Sequence, residues 1–381
     1  MNQAEALVAA RTVAGRLRED AVTRDQANQP PHAEIALLRD SGLLAVDPDD
    51  HRTTHAVTRL VASADPSIGH LLGYHYLHLW RAGLYDNREL ACALREDAAA
   101  GAFVGAVSNP RDTITATEHL TVHGRGTFAT GCAIADRLLV SAIRADRTAR
   151  LVVVMHGDAA GVAHPPDWDN LGQRLTASGS ITFEDVAVDE DDVLSIFPAD
   201  ESETSPGGLR LSLVALAFQA VLTQVIVGLT EGAIDEAARY TREHSRPWPA
   251  SGLDRAADDP HIRAGYGELT ASLRAARLLA DDATSALAQA DAAGAALTTD
   301  ERGRAALTIS AAKVVSTRLA TEATNRIFEF TGARATTRAT GLDRFWRDAR
   351  TLTLHDPAVY KASELGAFVL NGQLPSTTAY S

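Results

Sequence analysis

The stretch from Gly341 to Gly366 reads GLDRFWRDARTLTLHDPAVYKASELG and lies near the C-terminus of this 381-residue chain. It begins with a dense run of Arg, Asp and aromatic residues. Asp356 and Pro357 predict a helix start, with Asp356 as the N-cap, Pro357 in the first helical position and the helix at Ala358–Leu370. His355 would then lie on a short connection before a helix, a common place for a catalytic side chain. Simple packing or capping by His355 is the alternative.

This stretch resembles the C-terminal signature of the acyl-CoA dehydrogenase superfamily. The dehydrogenases have an Arg-Asp-Ala run and then a Tyr-Glu-Gly-Thr motif, whose Glu abstracts the substrate α-proton. Here Arg347-Asp348-Ala349 is present, but Leu354-His355-Asp356-Pro357 replaces the Glu motif. That replacement, followed by Tyr360-Lys361, resembles the flavin-dependent monooxygenase branch of the superfamily. The resemblance extends from about Ala64 to Gly366.

The composition is that of a globular protein, with 45% hydrophobic and 22% charged residues. The length allows two or three domains and a large core. A formal net charge of −13 argues against binding to nucleic acid or to an anionic membrane. Two cysteines, Cys92 and Cys132, give neither a disulfide framework nor a metal-ligand spacing, so a cytoplasmic location is expected. The low aromatic content and abundant Ala and Arg are associated with bacterial secondary metabolism.

Neither the N-terminus nor the most hydrophobic run of the sequence predicts a membrane segment. The N-terminus carries charged residues among its apolar ones, unlike a signal peptide. The most hydrophobic run, Leu211–Leu229, is interrupted by the polar residues Ser212, Gln219, Thr223 and Gln224. A membrane span needs about 20 residues of cleaner apolarity. This run is therefore interpreted as a buried helix of a bundle.

The first two domains differ in their hydrophobic pattern. Residues 1–100 are predicted to form an N-terminal helical domain, with helices at residues 3–27, Ala33–Leu44, His55–Ala64, Ser67–Leu84 and Arg88–Ala99. From residue 101 to 200, short segments rich in Val, Leu and Ile predict a β-domain. Its strands are expected at Gly101–Ser108, Leu120–His123, Leu138–Ile143, Leu151–Met155 and Ser180–Val188, the last with a slip at Glu184-Asp185.

Residues 201–381 are predicted to form a C-terminal four-helix bundle domain. An acidic, Ser-, Pro- and Gly-rich linker at Asp200–Gly208 precedes it. Its long helices are expected at Leu209–His244, Asp259–Ala292 and Thr299–Thr331, and the first is apolar on nearly every face, which suits a core or a subunit interface. The fold class is therefore α+β, mostly α, and the order of helical domain, β-domain and helical bundle is that of the acyl-CoA dehydrogenase fold.

His70 and Tyr74 lie four residues apart in the segment that begins at Ala64, so they share one helix face, and His78 extends that face. Polar groups on a rigid helix beside an apolar wall would suit a catalytic pocket. The monooxygenase members have a similar His and Tyr beside the flavin, which implies catalytic roles for His70 and Tyr74. A packed stripe with satisfied polar tips is the alternative.

The resemblance implies two flavin contacts from the β-domain. In this fold the connection at Ser108-Asn109-Pro110 approaches the flavin ring, so Asn109 would donate to a flavin carbonyl or to the peroxide. Thr130, in Gly126-Thr127-Phe128-Ala129-Thr130-Gly131, would bond to flavin N5 and protect the C4a adduct. Both residues are therefore assigned to catalysis and to cofactor binding. A turn-initiating Asn and an ordinary Gly-flanked turn are the alternatives.

Trp168 precedes a second matching motif. The dehydrogenases have a Gly-x-Arg followed by Ser or Thr residues, and Gly172-Gln173-Arg174 stands here, followed by the strand Phe183-Glu184-Asp185-Val186. The resemblance implies that Trp168 stacks along the isoalloxazine or forms a substrate wall. A core Trp is the alternative.

Two arginines are candidates for the flavin phosphate. In this fold an Arg after the first long helix reaches the phosphate of a neighbouring subunit, and Arg246 fits that place. Arg334 fits a second contact. The planar guanidinium suits phosphate because it bonds two oxygens, although a surface Arg without a partner is the commoner case.

These resemblances imply a two-component flavin-dependent monooxygenase. No GxGxxG motif follows a predicted strand, so the flavin would arrive already reduced from a separate NAD(P)H-dependent flavin reductase. Reduced FMN, with FAD as the alternative, would react with O2 through a C4a-hydroperoxyflavin. His355 is the expected acid or base, assisted by His70 and Tyr74. The substrate would be small and heteroaromatic, or contain an amine or sulfur, and the assembly would be a homotetramer.

Two alternative functions remain open from the sequence. An acyl-CoA dehydrogenase or oxidase that holds FAD requires a carboxylate base, for which Glu364 and Glu231 are the candidates. A non-catalytic helical scaffold is the third interpretation, against which the retained polar residues argue.

Overall fold

The computed structural model describes residues 1–109, 111–198 and 206–378. Its N-terminal helices are α1 (Gln3–Glu19), α2 (Ala21–Ala27), α3 (His32–Asp40), α4 (His51–Ala62), α5 (Pro66–Ala82) and α6 (Arg88–Ala99). The single helix predicted at residues 3–27 is wrong, because the chain breaks at Asp20. The break brings the buried Arg24 to Leu17 O (2.7 Å) and to Asp65 Oδ2 (2.9 Å), so a buried ion pair is formed that one straight helix would not allow.

Within its described residues, the β-domain is one eight-stranded sheet. Its strands are β1 (Val104–Val107), β2 (Thr115–Ala116), β3 (Thr121–Gly126), β4 (Arg137–Arg144), β5 (Ala149–His156), β6 (Val162–Ala163), β7 (Ile181–Ala187) and β8 (Val193–Pro198). The order is β6-β7-β3-β2-β4-β5-β8, and β1 pairs in parallel with β4. The predicted slip in β7 is a register shift opposite Val122 and Gly124, with Asp185 at a φ of 52°. Strands β2, β6 and β8 were not predicted from the sequence.

The C-terminal region is helical. Its helices are α7 (Pro206–Leu211), α8 (Leu213–Glu243), α9 (Pro260–Ala292), α10 (Thr299–Thr331), α11 (Asp343–Leu352) and α12 (Ala358–Asn371). α8 packs against α4, α5, α9, α10 and α11, so its apolar faces are covered on all sides. The predicted linker Asp200–Gly208 lies mostly outside the described residues, and its last residues begin α7. α11 was not predicted.

The apolar α8 is a core element of this chain. By length and composition, the helical segment Gly208–Glu243, which includes all of α8, is long and apolar enough to cross a membrane, but 83% of its most apolar window is buried in the protein. This burial supports its interpretation as a bundle helix. The arrangement of helices around a central sheet confirms the predicted α+β, mostly α fold class.

Candidate active site

Helix α5 is the rigid wall of the site. Asp65 caps its N-terminus by accepting from the backbone of Ser67 (3.1 Å) and Ile68 (3.2 Å), and Pro66 occupies the first turn. α5 packs against α4 so closely that a Cβ on Gly69 would lie 2.5 Å from the Ala62 side chain. Every residue of α5 is buried, so its polar stripe is held in fixed positions.

The turn between α11 and α12 brings His355 to this stripe. His355 Nε2 lies 3.5 Å from the Tyr74 hydroxyl, and His355 Nδ1 lies 3.1 Å from Asp356 Oδ2. Gln219 of α8 donates its side-chain amide to the same carboxylate oxygen. The predicted N-cap role of Asp356 is wrong, because its carboxylate is used by His355 and Gln219. Pro357 occupies the N-cap position, and α12 begins at Ala358.

The charges in this group favour a neutral phenol beside a fixed carboxylate. Burial, and then the charge of Asp356, raise the pKa of Tyr74, so its hydroxyl stays protonated and is a hydrogen-bond donor. Burial alone would raise the pKa of Asp356, but the hydrogen bond and charge of His355, together with Lys313, hold it at about 2. The side chain of His355 is 43% exposed, so its ring is accessible at the mouth of the site.

His70 lies one turn before Tyr74, and their rings meet edge to face at 4.3 Å. Burial lowers the pKa of His70 to about 3, so the imidazole is neutral. Its Nδ1 lies 3.0 Å from Gln173 Oε1. Its buried Nε2 makes no hydrogen bond to any described residue. The structure therefore brings His355, Tyr74 and His70 together, as the sequence predicts.

Gln173 joins the β-domain to the helices and was not predicted as a site residue. Its backbone N–H donates to Asp348, its carbonyl accepts from Trp168 Nε1 (2.8 Å), and its side-chain nitrogen makes no hydrogen bond within the described chain. The neighbouring Gly172 allows this approach, since a Cβ there would lie 2.1 Å from Arg347 O. Burial raises the pKa of Asp348 to about 7, which the bond from Gln173 partly offsets.

The β-domain loops place Thr130 near α5, whereas Asn109 forms hydrogen bonds with other residues of these loops. Thr130 Oγ1 accepts from Ser178 Oγ at 2.9 Å, and a Cβ on the adjacent Gly131 would lie 2.9 Å from the Leu71 side chain of α5. Asn109 accepts from Arg111 N (3.1 Å), as in a local turn, and donates to the Thr127 hydroxyl (3.1 Å). Pro110 of the predicted motif lies outside the described residues.

Trp168 is half-buried and borders an exposed aromatic residue. Phe128 meets it edge to face at 6.3 Å, is 71% exposed and has a φ of 52°. A bulky residue in the left-handed region is unusual and is found where surrounding structure imposes it. Phe128 and Trp168 form an aromatic rim on the β-domain side of the site. The role of Trp168 as a substrate wall or flavin-stacking residue stays a prediction.

The structure does not bring Arg246 and Arg334 to His355. Both are exposed, and their segments meet at the far end of the bundle, where Ser245 Oγ donates to Thr331 O at 3.0 Å. From Gln219 to the last residue of α8 the helix extends about 36 Å. A surface cleft of about 260 Å³ lies near that far end, lined by Glu236, Arg239, Tyr240, His244, Ala339, Thr340 and Leu342.

The two carboxylates considered as alternative bases are also engaged elsewhere. Glu364 accepts from Lys361 (3.0 Å) and from Ser310 (2.9 Å). Glu231 faces Arg277 of α9 at 3.4 Å and lies about 18 Å along α8 from Gln219. Neither replaces His355 beside Tyr74.

The site offers hydrogen-bonding groups for a flat polar ring. Over the described ranges, no group of three His, Cys, Asp or Glu side chains is arranged to hold a metal. His70 Nε2 and Gln173 Nε2 are buried polar atoms without a hydrogen-bond partner among the described residues. Such atoms require hydrogen-bond partners. A ring with carbonyl and ring-nitrogen groups between aromatic walls, such as an isoalloxazine, fits them.

Comparisons with known proteins agree with this geometry. A family model described as "Acyl-CoA dehydrogenase, C-terminal domain" matches residues 220–359. The chain is 37% identical to the probable FMNH2-dependent monooxygenase SfnC of Pseudomonas putida, over 99% of this chain and 97% of the relative. It is 35% identical to dibenzothiophene monooxygenase of Mycolicibacterium goodii, over 96% and 94%.

Solved structures show the same similarity along the whole chain. FMN-bound TdsC from Paenibacillus sp. A11-2 superposes with a TM-score of 0.91 and 35% identity, over 99% of this chain and 100% of that one. Methanesulfinate monooxygenase MsuC from Pseudomonas fluorescens superposes with a TM-score of 0.91 and 36% identity, over 98% and 99%.

Proposed function

We propose a function from the family of this chain, which belongs to the acyl-CoA dehydrogenase superfamily in its branch of FMNH2-dependent monooxygenases. The protein is a two-component monooxygenase that uses reduced FMN and O2 to oxygenate a small molecule. The observation that carries this proposal is His355, which stands in the place of the dehydrogenase Glu and is held by Asp356 beside Tyr74. A separate NAD(P)H-dependent reductase supplies the flavin.

Reduced FMN, when bound, supplies the electrons with which O2 is activated for transfer of one oxygen atom. The residues of this chain bind and orient the flavin and the substrate, and they move protons. Asp356 accepts from His355 Nδ1, which directs Nε2 toward the Tyr74 hydroxyl. His355 gives or takes the proton that oxygen transfer requires, and the protonated Tyr74 and the neutral His70 provide fixed dipoles beside it.

The binding roles follow from the same positions. We assign ring contacts to His70, Gln173 and Thr130, and a stacking contact to Trp168, whose indole N–H is fixed by Gln173 O at 2.8 Å. Asn109 already makes local hydrogen bonds to Arg111 and Thr127, so a contact with the flavin would use the remaining hydrogen of its side-chain amide. Arg246 would bind the phosphate of FMN held by another copy of the chain, because the length of α8 separates it from its own site.

The substrate is proposed to be a small heteroaromatic, sulfur-containing or amine compound. Relatives are named for dibenzothiophene and methanesulfinate, and TdsC has been crystallised with indole. In this chain the site has apolar walls, since Phe218 packs edge to face on Tyr74 at 5.0 Å and Trp168 meets Phe128. Such walls suit a flat or small apolar substrate. A cytoplasmic location and a place in secondary metabolism are proposed from composition alone.

The purified protein should prefer reduced over oxidised FMN and should oxidise little NAD(P)H alone. The reason is that the sequence carries no dinucleotide-binding motif, so hydride transfer belongs to the reductase. Absorbance at the NADH band and FMN titration under anaerobic conditions measure both properties. Steady NADH consumption by the protein alone would contradict the two-component proposal, and anaerobic flavin reduction by acyl-CoA thioesters would favour the dehydrogenase alternative.

We propose a homotetramer, and expect at least a dimer at micromolar concentration. Val359, Tyr360, Val369 and Leu370 on α12 are each more than two-thirds exposed, so this helix presents apolar surface for another copy to cover. Arg246 also needs a second copy to reach a flavin phosphate. Light scattering with size-exclusion chromatography measures the assembly. A monomer at that concentration would contradict both the assembly and the phosphate role of Arg246.

A further inference from the structure

A fully buried lysine lies behind the turn that carries His355. Lys313 of α10 has a side-chain exposure of 0%, and its Nζ makes no hydrogen bond to any described residue. One turn earlier, Ser310 donates to Glu364 at 2.9 Å, and Glu364 also accepts from Lys361 of α12 at 3.0 Å. Lys313 therefore lies in a polar cluster between α10, α12 and the turn.

An amine in this position lowers the stability of the fold. Burial lowers the pKa of Lys313 to about 8; the charge of Asp356 opposes this shift and that of Lys361 adds to it. The charged groups that act on Lys313 are Asp356 from the turn and Lys361 from α12. Glu364 of α12 accepts from Lys361, and the neutral Gln219 of α8 donates to Asp356. A buried charge that weakens the fold is typical of residues retained for function.

We propose that Lys313 is a positioning residue for oxygen transfer, because its buried positive charge balances the Asp356 carboxylate that holds the His355 ring. The inference rests on the proposed function of His355. Asp356 binds His355 and Gln219 through the same oxygen. Gln219 is neutral, so the charges that act on this carboxylate come from His355 and Lys313. The charge of Lys313 remains when His355 gives up its proton. Asp356 thus holds the His355 ring with Nε2 toward Tyr74 throughout the reaction.

The test compares Lys313→Met and Lys313→Gln with the control Arg302→Met. Arg302 is another buried cation of α10, about 16 Å along the helix from Lys313, and its Nε donates to Ser212 at 3.0 Å. In flavin-free protein, peptide mass spectrometry follows the modification of His355 by diethylpyrocarbonate, which reacts with neutral imidazole. Without the charge of Lys313, the Asp356 carboxylate should attract the Nδ1–H of His355 more strongly, so both Lys313 variants should react several-fold more slowly at neutral pH. Arg302→Met should match the wild type.

Turnover and stability give the second part of the test. Both Lys313 variants should lose about 10–100-fold in kcat, with KM nearly unchanged, as is usual for residues that orient a reacting group. Lys313→Met should also melt no lower than the wild type at pH 7. Its stability should lack the rise between about pH 8 and 10.5 that the wild type shows, since the native amine loses its proton before the unfolded one does.

A mutant cycle separates this role from general packing. If Lys313 acts through Asp356, then Lys313→Met should cost little further activity in an Asp356→Asn background. Additive losses, or an unchanged His355 modification rate in both Lys313 variants of an active enzyme, would overturn the proposal. Failure of the wild type to oxygenate any substrate would instead count against the proposed function, while the His355 modification rate still decides the role of Lys313.

Discussion

The His355→Ala variant is expected to lose oxygen transfer by about 10²–10⁴-fold while keeping its fold and its affinity for FMN. His355 is exposed at the turn before α12, and its ring bonds only to Asp356 and Tyr74 among the described residues, so its removal leaves no large cavity. General acid–base help of this size corresponds to roughly 3–5 kcal/mol of the barrier. Product formation per reduced FMN, the melting temperature and FMN titration are measured on one preparation.

His75→Ala is the matched control for this prediction. His75 lies on the same helix α5, but its Nε2 donates to Leu44 O (2.9 Å) and its Nδ1 accepts from Val104 N (3.0 Å), so its role is structural. Its loss should lower the melting temperature and leave turnover per folded molecule near that of the wild type. If His355→Ala behaved like His75→Ala, the main reason for assigning an oxygenase would disappear, and Glu231 would become the residue to test next.

The Asp356→Asn variant should lose about 10²-fold in turnover, because the amide keeps the shape but not the charge that orients His355. It should also lose part of the acid sensitivity of the fold. The pKa of Asp356 is about 2 in the folded protein against an ordinary 3.8, so its ionised form stabilises the fold above about pH 4. That contribution is lost as the pH falls toward 2. Acid unfolding curves of the wild type should therefore be steeper in this range than those of Asp356→Asn.

Asp291→Asn provides a control for the loss of a buried carboxylate. Asp291 accepts from Trp80 Nε1 (2.8 Å) and lies 3.2 Å from His51 Nε2, in a similar His–Asp pair that does not include His355. Its replacement should reduce stability and leave kcat unchanged. Equal losses of turnover in the two variants would show that the effect of Asp356 is structural rather than catalytic.

Local pattern was enough to predict the scaffold of the site. The four-residue spacing of His70 and Tyr74 is a short-range feature, so it placed both side chains on one helix face. The alternation of β7 even revealed its irregularity at Asp185. The apolarity of α8 likewise predicted a buried helix.

The partners of these residues depend on long-range packing and were missed. Gln173, Gln219 and Lys313 come from three different elements, and single-residue patterns do not predict which of them meet. The polar Gln219 inside the apolar α8 was a visible signal, since such a residue requires a buried partner. Asp356 was misassigned because an Asp-Pro pair is typical of a helix start, whereas the contacts with His355 and Gln219 outweigh capping here.

Isotope transfer from O2 tests the central claim most directly. The protein is incubated with FMN, NADH and a flavin reductase under ¹⁸O2, with a panel of sulfides, heteroaromatic compounds and amines, and the products are analysed by mass spectrometry. The account predicts a product that carries one ¹⁸O atom, formed by the wild type and lost in His355→Ala. Products without the isotope across the panel, together with anaerobic reduction of the bound flavin by an acyl-CoA thioester, would contradict it.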